Sequence, residues 1–146
     1  ALSGKDAPEG IALREGSDWV EIVLPGDLVF ESGDVSPGPE GLRALERVAG
    51  VVRGGDTAIV VEGFTDNLPI RAQRFPSNWE LSAARAAVVV RELALQGVAE
   101  ERLGAMGYGA NHPVARNDTE RGRAMNRRVV LVIATDNGRP PGPARR

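Results

Sequence analysis

The sequence contains no cysteine and a single histidine, His112, among its 146 residues. The lack of cysteine excludes a disulfide framework and thiolate metal sites, and one imidazole does not provide the ligand set of a zinc centre. A serine nucleophile needs a base within reach, and no histidine is near Ser77 in the sequence, so Ser77 is interpreted as a helix cap. We therefore expect no cofactor and no enzymatic activity.

The sequence also lacks a large excess of one sign of charge and a long apolar run. The formal net charge is −2, so no strong field attracts nucleic acid or a membrane surface. No run of the given residues is apolar enough to span a bilayer, and we expect no signal peptide among them. A group of arginines near the end of the chain is interpreted as helix and strand-end structure, not as a nucleic-acid site: Arg121, Arg123, Arg127 and Arg128.

Aromatic residues make up only 4% of the sequence, but the apolar content of 42% suffices for one core. At this length we expect one domain. Residues 1–10 are polar with Gly and Pro and predict a flexible tether, and residues 136–146 are rich in Pro and Arg and predict a disordered tail. The folded domain is expected at residues 11–135. The chain begins at Ala1 rather than at a methionine, which indicates a fragment or a processed product.

The order of strands and helices follows from local signals. Alternating apolar residues over 11–24 predict a β-hairpin, and Ser36 followed by Pro37 predicts the start of a helix. The apolar run 57–61 is typical of a buried strand, and Ser77 with Glu80 forms a capping-box pattern at the start of a second helix. Asp118 or Thr119 is expected to cap a short helix that ends at about Asn126, and a final strand is expected over 128–134.

This alternation predicts the fold class. Strands alternating with helices favour parallel neighbours, whereas the opening hairpin and the closing strand favour antiparallel pairs. We therefore expect an α/β (α+β) two-layer sandwich, in which a mixed β-sheet carries helices on one face.

The strand–helix junction between residues 61 and 85 holds the candidate site. Asp66 follows the predicted strand, and Arg85 lies about two turns into the next helix. A carboxylate facing a guanidinium can hold a zwitterion, because the acid binds an ammonium and the arginine binds a carboxylate with two hydrogen bonds. Such a pair is more often a surface ion pair or a cap, so spacing alone leaves both interpretations open.

Four motifs in order resemble the OmpA-like peptidoglycan-binding domain over about residues 28–133. They are Gly63-Phe64-Thr65-Asp66, Leu81-Ser82-Ala83-Ala84-Arg85-Ala86, Gly107-Tyr108-Gly109, and Asn117-Asp118-Thr119 with Gly122-Arg123-Ala124-Met125-Asn126-Arg127-Arg128. The linking segments Thr65-Asp66-Asn67-Leu68-Pro69-Ile70 and Phe75-Pro76-Ser77-Asn78-Trp79-Glu80-Leu81-Ser82 are similar to those of the flagellar stator proteins MotB and MotD.

The resemblance implies an OmpA C-terminal-domain-like fold and a ligand, the diaminopimelate of peptidoglycan stem peptides. In the family, the acid and the arginine at the positions of Asp66 and Arg85 hold that ligand. The resemblance also places a set of neighbours at the cleft: Thr65, Phe64, Asn78, Leu81 and, on the far wall, Asp34. Phe64 stands where many members carry histidine, so any role of that imidazole is absent here.

The resemblance further implies a periplasmic domain of a flagellar stator subunit. The parent protein is then expected to carry an N-terminal membrane helix in the inner membrane, to form a homodimer, and to associate with an ion-channel partner of the MotA or MotC type. An outer-membrane tether of the OmpA or lipoprotein type is the alternative. An enzyme acting on wall peptides is disfavoured, since the sequence lacks a metal set, a cysteine nucleophile and a convincing acid pair.

Overall fold

A five-stranded sheet organises the computed structural model, which describes residues 10–69 and 74–146. The strand order is β1-β2-β5-β3-β4, and the β3–β4 pair is parallel while the other pairs are antiparallel. The strands are β1 (Ala12–Glu15), β2 (Trp19–Pro25), β3 (Ile59–Phe64), β4 (Leu103–Gly107) and β5 (Arg128–Ala134). The helices are α1 (Gly26–Val29), α2 (Pro39–Val52), α3 (Asn78–Leu95) and α4 (Glu120–Asn126). The predicted mixed sheet with helices is confirmed.

The two faces of the sheet are covered differently. Because side chains alternate along a strand, Ile59 and Val61 of β3 point into the main core with α2 and α3. Phe64 lies in a second, smaller cluster with Val130 and Val132 of β5. We call the second side the helix-free face, because the buried apolar residues of α1, α2 and the middle of α3 belong to the main core and not to this cluster; α4 borders it only at its edge.

Helix α3 connects the parallel strands β3 and β4, as such a pair requires a crossover. Its first turn is capped as predicted, since the Ser77 hydroxyl accepts a hydrogen bond from the Trp79 amide at 3.1 Å. After the helix, Gly97 adopts φ +97°, which other residues rarely tolerate. The sequence therefore fixes both ends of the helix that carries Arg85.

Two predicted boundaries are wrong. Helix α2 begins at Pro39 after Gly38, not at Pro37 after Ser36, because Pro37 is taken into a β-bridge with Phe30. Strand β3 runs from Ile59 to Phe64 rather than over 57–61, because its pairing with β5 extends from Ile59 to Phe64, which lies opposite Arg128.

The predictions for the two ends of the chain have different outcomes. Residues 1–9 of the predicted tether lie outside the described residues. The predicted disordered tail instead contains a turn of 3-10 helix, Pro143–Arg145, followed by Arg146, whose side chain is 7% exposed against the helix-free face. Composition alone does not report this contact, since the partners of Arg146 are Glu21 and Glu62, far away in the sequence.

Candidate functional site

Asp66 lies two residues beyond the end of β3 and is 9% exposed. Its Oδ1 accepts a hydrogen bond from the Leu68 amide at 3.0 Å, which closes a local turn. The Asn78 side chain, from the first turn of α3, donates to the carbonyl oxygens of Leu68 at 3.0 Å and of Asp66 at 3.4 Å. Asn78 therefore holds the Asp66 loop against the helix.

Arg127 is the centre of an acidic cluster around Asp66. Its Nη1 donates to Asp66 Oδ2 at 2.8 Å, and its Nη2 contacts Glu120 at 2.6 Å. Its Nε and Nη2 also form a fork on Asp27 at 3.1 and 2.9 Å. Three carboxylates thus share one guanidinium, so the cluster keeps an excess of two negative charges. The hydrogen bonds that Arg127 donates to Asp27, Asp66 and Glu120 raise the pKa of Arg127, and its guanidinium lowers the pKa of Glu120.

Arg85 is the cationic part of the site and is 8% exposed. Its Nε donates to the Asp34 carbonyl oxygen at 3.0 Å, and its guanidinium carbon lies 4.9 Å from the centre of the Phe30 ring. Burial lowers its pKa. Within residues 10–69 and 74–146, no carboxylate forms an ion pair with this guanidinium. Its two terminal nitrogens therefore remain available to an external carboxylate.

The cationic and acidic parts lie in one electrostatic neighbourhood. The charges of Asp27, Arg127, Asp34 and Asp66 all act on the Arg85 guanidinium. The close packing of β3 on α3 produces this arrangement, because a Cβ at Gly63 would lie 2.2 Å from the Ser82 carbonyl oxygen. A small ligand that carries both an ammonium and a carboxylate fits this combination of charges.

The other sequence-predicted residues divide into two groups. Asp34 reaches Arg85 through its backbone, as described above. The Thr65 hydroxyl donates to the Asp66 carbonyl oxygen at 2.8 Å, so it supports the loop, and Leu81 is buried in the first turn of α3. Phe64 does not join this group, since it points to the helix-free face, where Arg128 lies 3.9 Å from its ring centre.

The sequence reasoning missed Arg127, Asp27 and Glu120 as members of the site. The arginine group near residue 127 was visible as a possible set of partners for carboxylates. No local pattern, however, indicates which of those arginines meets Asp66, since 61 positions separate the two residues.

Asn126, next to Arg127, is fully buried and organises the loop that leads to α4. Its Oδ1 accepts from the Val114 and Ala115 amides at 2.7 and 3.0 Å, and its Nδ2 donates to the Ala115 carbonyl and the Asn117 side chain, both at 2.9 Å. The start of β5, and with it Arg127, is therefore held in place from the loop side.

A groove of about 880 Å³ lies elsewhere, on the helix-free face, and neither Asp66 nor Arg85 lines it. We call Arg85 and the Arg127 cluster of Asp27, Asp66 and Glu120 the charged junction. We assign the candidate site to it and not to this groove, because it brings opposite charges into one electrostatic neighbourhood. In the described part of the chain, no group of histidine and acidic residues is placed to hold a metal ion. None of the described helices is both long and apolar enough for a membrane span.

Comparison with known proteins places this geometry in context. Motility protein B of Helicobacter pylori strain J99 is 34% identical over 131 residues, which is 88% of this chain and 51% of that protein. The chain thus spans about half the length of this relative. The crystal structure of the periplasmic domain of Helicobacter pylori MotB, residues 90–256, has a TM-score of 0.82 at 32% identity and covers 93% of this chain and 85% of that one.

The cell wall anchor of the T6SS from Pseudomonas aeruginosa is equally similar in structure, with a TM-score of 0.82, 35% identity, and coverage of 86% of this chain and 88% of that one. The sequence profile of the OmpA family matches residues 29–127, which include every residue of the charged junction except Asp27. The chain therefore belongs to the OmpA family.

Proposed function

We propose that the chain is a non-catalytic peptidoglycan-binding domain whose charged junction binds the diaminopimelate of stem peptides. The free end of diaminopimelate carries an ammonium and a carboxylate on one carbon. The observation that carries the proposal is the buried Arg85 guanidinium, which has no carboxylate partner in the described residues and lies near the acidic cluster of Arg127.

The two parts of the junction match the two charges of this ligand. The ligand carboxylate accepts hydrogen bonds from Arg85, and its ammonium lies against Asp66 and the acidic cluster. Hydrogen bonds to charged groups contribute roughly 1.5–3 kcal/mol each, and association itself costs several kcal/mol. One site therefore binds one stem peptide weakly, and tethered copies on a polymeric wall gain strength by avidity, which suits an anchor.

Co-sedimentation with purified peptidoglycan sacculi tests the proposal. The wild-type chain is expected in the pellet, and Asp66→Asn and Arg85→Gln in the supernatant. Arg91→Ala is the matched control, because Arg91 is exposed on the same helix as Arg85 and is expected to pellet like wild type. Urea unfolding of each variant separates loss of binding from loss of fold. Equal pelleting by folded Asp66→Asn, Arg85→Gln and wild-type chains would contradict the site.

Free diaminopimelate provides the second measurement. It is expected to release the wild-type chain from sacculi, whereas 1,5-diaminopentane, which keeps the two ammonium groups but has no carboxylate, is expected to be at least tenfold less effective. Equal competition by both compounds would leave wall binding in place but would remove Arg85 from ligand recognition.

We further propose that the parent protein is a flagellar stator subunit located in the periplasm and anchored in the inner membrane. The similarity to Motility protein B and to the MotB periplasmic domain supports this assignment. In that setting the domain acts as a homodimer beside an ion-channel partner of the MotA or MotC type. Co-purification of the full-length parent with such a channel subunit, and loss of swimming when its gene is deleted, are the expected results.

The alternative parent protein is a tether of the OmpA or lipoprotein type in the outer membrane. The equal structural similarity to the T6SS cell wall anchor supports a parent protein other than a flagellar one, since the same fold occurs in that anchor. Fractionation distinguishes the two: the stator is found with the inner membrane and the tether with the outer membrane.

A further inference from the structure

Two carboxylates are buried on the helix-free face of the sheet, opposite the core. Glu21 of β2 pairs in register with Val132 of β5, and Glu62 of β3 pairs with Val130. The two acids therefore lie on either side of β5. Glu62 is 1% exposed and Glu21 9%. Buried carboxylates are costly unless a cation or several donors compensate them.

The side chain of Arg146 supplies this compensation. Its Nη1 and Nη2 donate to the two oxygens of Glu62 at 2.9 and 2.6 Å, and its Nε donates to the Glu21 carboxylate. A planar guanidinium can serve both acids in this way, whereas a lysine ammonium lacks the two-pronged geometry. The contact is specific to arginine by its shape as well as by its charge.

Arg128 lies near this pocket but does not replace Arg146. Its Nη1 and Nη2 donate to the carbonyl oxygens of Asn126 and His112 at 3.2 and 2.9 Å, and its guanidinium stacks on Phe64. Burial lowers its pKa to about 10, so it remains a cation at neutral pH. The hydrogen bonds of Arg128 go to backbone carbonyl oxygens. Glu62 therefore needs another guanidinium, that of Arg146, as its hydrogen-bond donor.

Most of the tail that delivers Arg146 stays in contact with solvent. Residues 135–139 are exposed, and so is Arg145, the neighbour of the buried arginine. The turn Pro143–Arg145 is held from within, by a hydrogen bond of Arg146 Nη1 to the Pro141 carbonyl oxygen at 2.8 Å and by backbone bonds. Residues 140–143 are half-buried. Among the described residues, Arg146 supplies the hydrogen bonds and ion pairs that join residues 138–146 to the sheet.

We propose that Glu21 and Glu62 form an arginine-binding pocket on the helix-free face, and that residues 138–146 of the same chain occupy it as a releasable arm. The adjoining groove of about 880 Å³, which the arm borders through Pro143 and Arg146, becomes fully open when the arm leaves. Neither Asp66 nor Arg85 lines this groove.

The test adds a synthetic, C-terminally amidated peptide of residues 138–146 to the full chain carrying Arg146→Ala, whose own arm no longer fills the pocket. Binding is followed by the fluorescence of Trp19, which lines the groove. Saturable binding is expected, at least tenfold tighter than to the wild-type chain, where the arm competes. A peptide with Arg146→Lys is expected to bind at least tenfold more weakly, and one with Arg145→Ala to bind unchanged.

Variants of the pocket complete the experiment. Adding Glu62→Gln to the Arg146→Ala chain is expected to abolish peptide binding, and far-ultraviolet circular dichroism checks that each protein is folded. If Glu62→Gln does not fold, the same loss is expected of Glu21→Gln. The proposal is overturned by absence of saturable binding to Arg146→Ala, by equal binding to the wild-type chain, or by equal weakening with the Arg145→Ala peptide. A wild-type dimer in sedimentation that the Arg146→Ala change converts to monomer would also overturn it, because the arm would then occupy the pocket of a second copy.

Discussion

Replacing Arg127 by methionine tests how the acidic cluster is held together. The change keeps an unbranched side chain of similar length but removes the charge that Asp27, Asp66 and Glu120 share. The contact with Asp66 joins two largely buried side chains, 20% and 12% exposed, and a hydrogen bond between charged groups of this kind contributes about 1.5–3 kcal/mol. The partners Asp27 and Glu120 are 62% and 65% exposed, so solvent screens those two pairs and they add little to the stability. We expect Arg127→Met to lower the free energy of unfolding by about 2–4 kcal/mol at pH 7.

The same variant has a defined pH dependence. Arg127 lowers the pKa of Glu120 below its ordinary value of 4.5. A lowered pKa in the folded state contributes stability above the unfolded pKa, and this stability is lost as the pH falls through the folded pKa. The difference between wild type and Arg127→Met is therefore expected to be complete above about pH 5 and to shrink in more acidic solution.

Urea unfolding at pH 7 and at about pH 3.5 measures both quantities. Arg116→Met is the control, because the Arg116–Asp118 pair is exposed, at 88% and 57%, and its loss should cost less than about 1 kcal/mol. A loss below about 0.5 kcal/mol in Arg127→Met, or a loss that is the same at both pH values, would refute the role given to Arg127.

Three further changes test other parts of the structure by urea unfolding. Gly63→Ala is expected to cost at least about 1–3 kcal/mol, because the new Cβ would lie 2.2 Å from the Ser82 carbonyl oxygen; a neutral effect would contradict the close packing of β3 on α3. Asn126→Ala is expected to cost about 2–5 kcal/mol, since it leaves the amides and the carbonyl oxygen that Asn126 serves without partners; a loss below about 1 kcal/mol would show that water replaces them. Burial raises the pKa of Glu62 above 4.5. The contribution of this shift to the free energy of unfolding is therefore fully present below pH 4.5 and is lost as the pH rises through the pKa of Glu62 in the folded state. Glu62→Gln should therefore lose less stability than wild type between pH 4.5 and neutrality, and parallel pH profiles would contradict this.

Local chemistry made several elements predictable from the sequence. Strand β5 is predicted to the residue, because its apolar run is continuous and follows a capped helix. The start of α3 is predicted by Ser77, whose hydroxyl needs only neighbouring amides to act as a cap. Asp66 and Arg85 are predictable neighbours for the same kind of reason, since the end of a strand and the first turns of the next helix adjoin in space.

Elements that depend on distant partners were not predictable in this way. The start of α2 moved to Pro39 because Pro37 pairs with Phe30. Phe64 belongs to the helix-free face because the alternation of side chains in β3 is set by its pairing with β5, and a shift of one residue in a strand exchanges the two faces.

The chain by itself thus determined the order of the elements, the place of Asp66 and Arg85 at the strand–helix junction, and the family, since each of these follows from motifs of neighbouring residues. Only the tertiary structure decided which arginine meets Asp66 and that Arg146 is buried between Glu21 and Glu62. Those contacts join residues 61, 125 and 84 positions apart. An ion pair over such distances forms only because the packed sheet brings the charges together, and the sequence carries no local pattern that selects one partner among many.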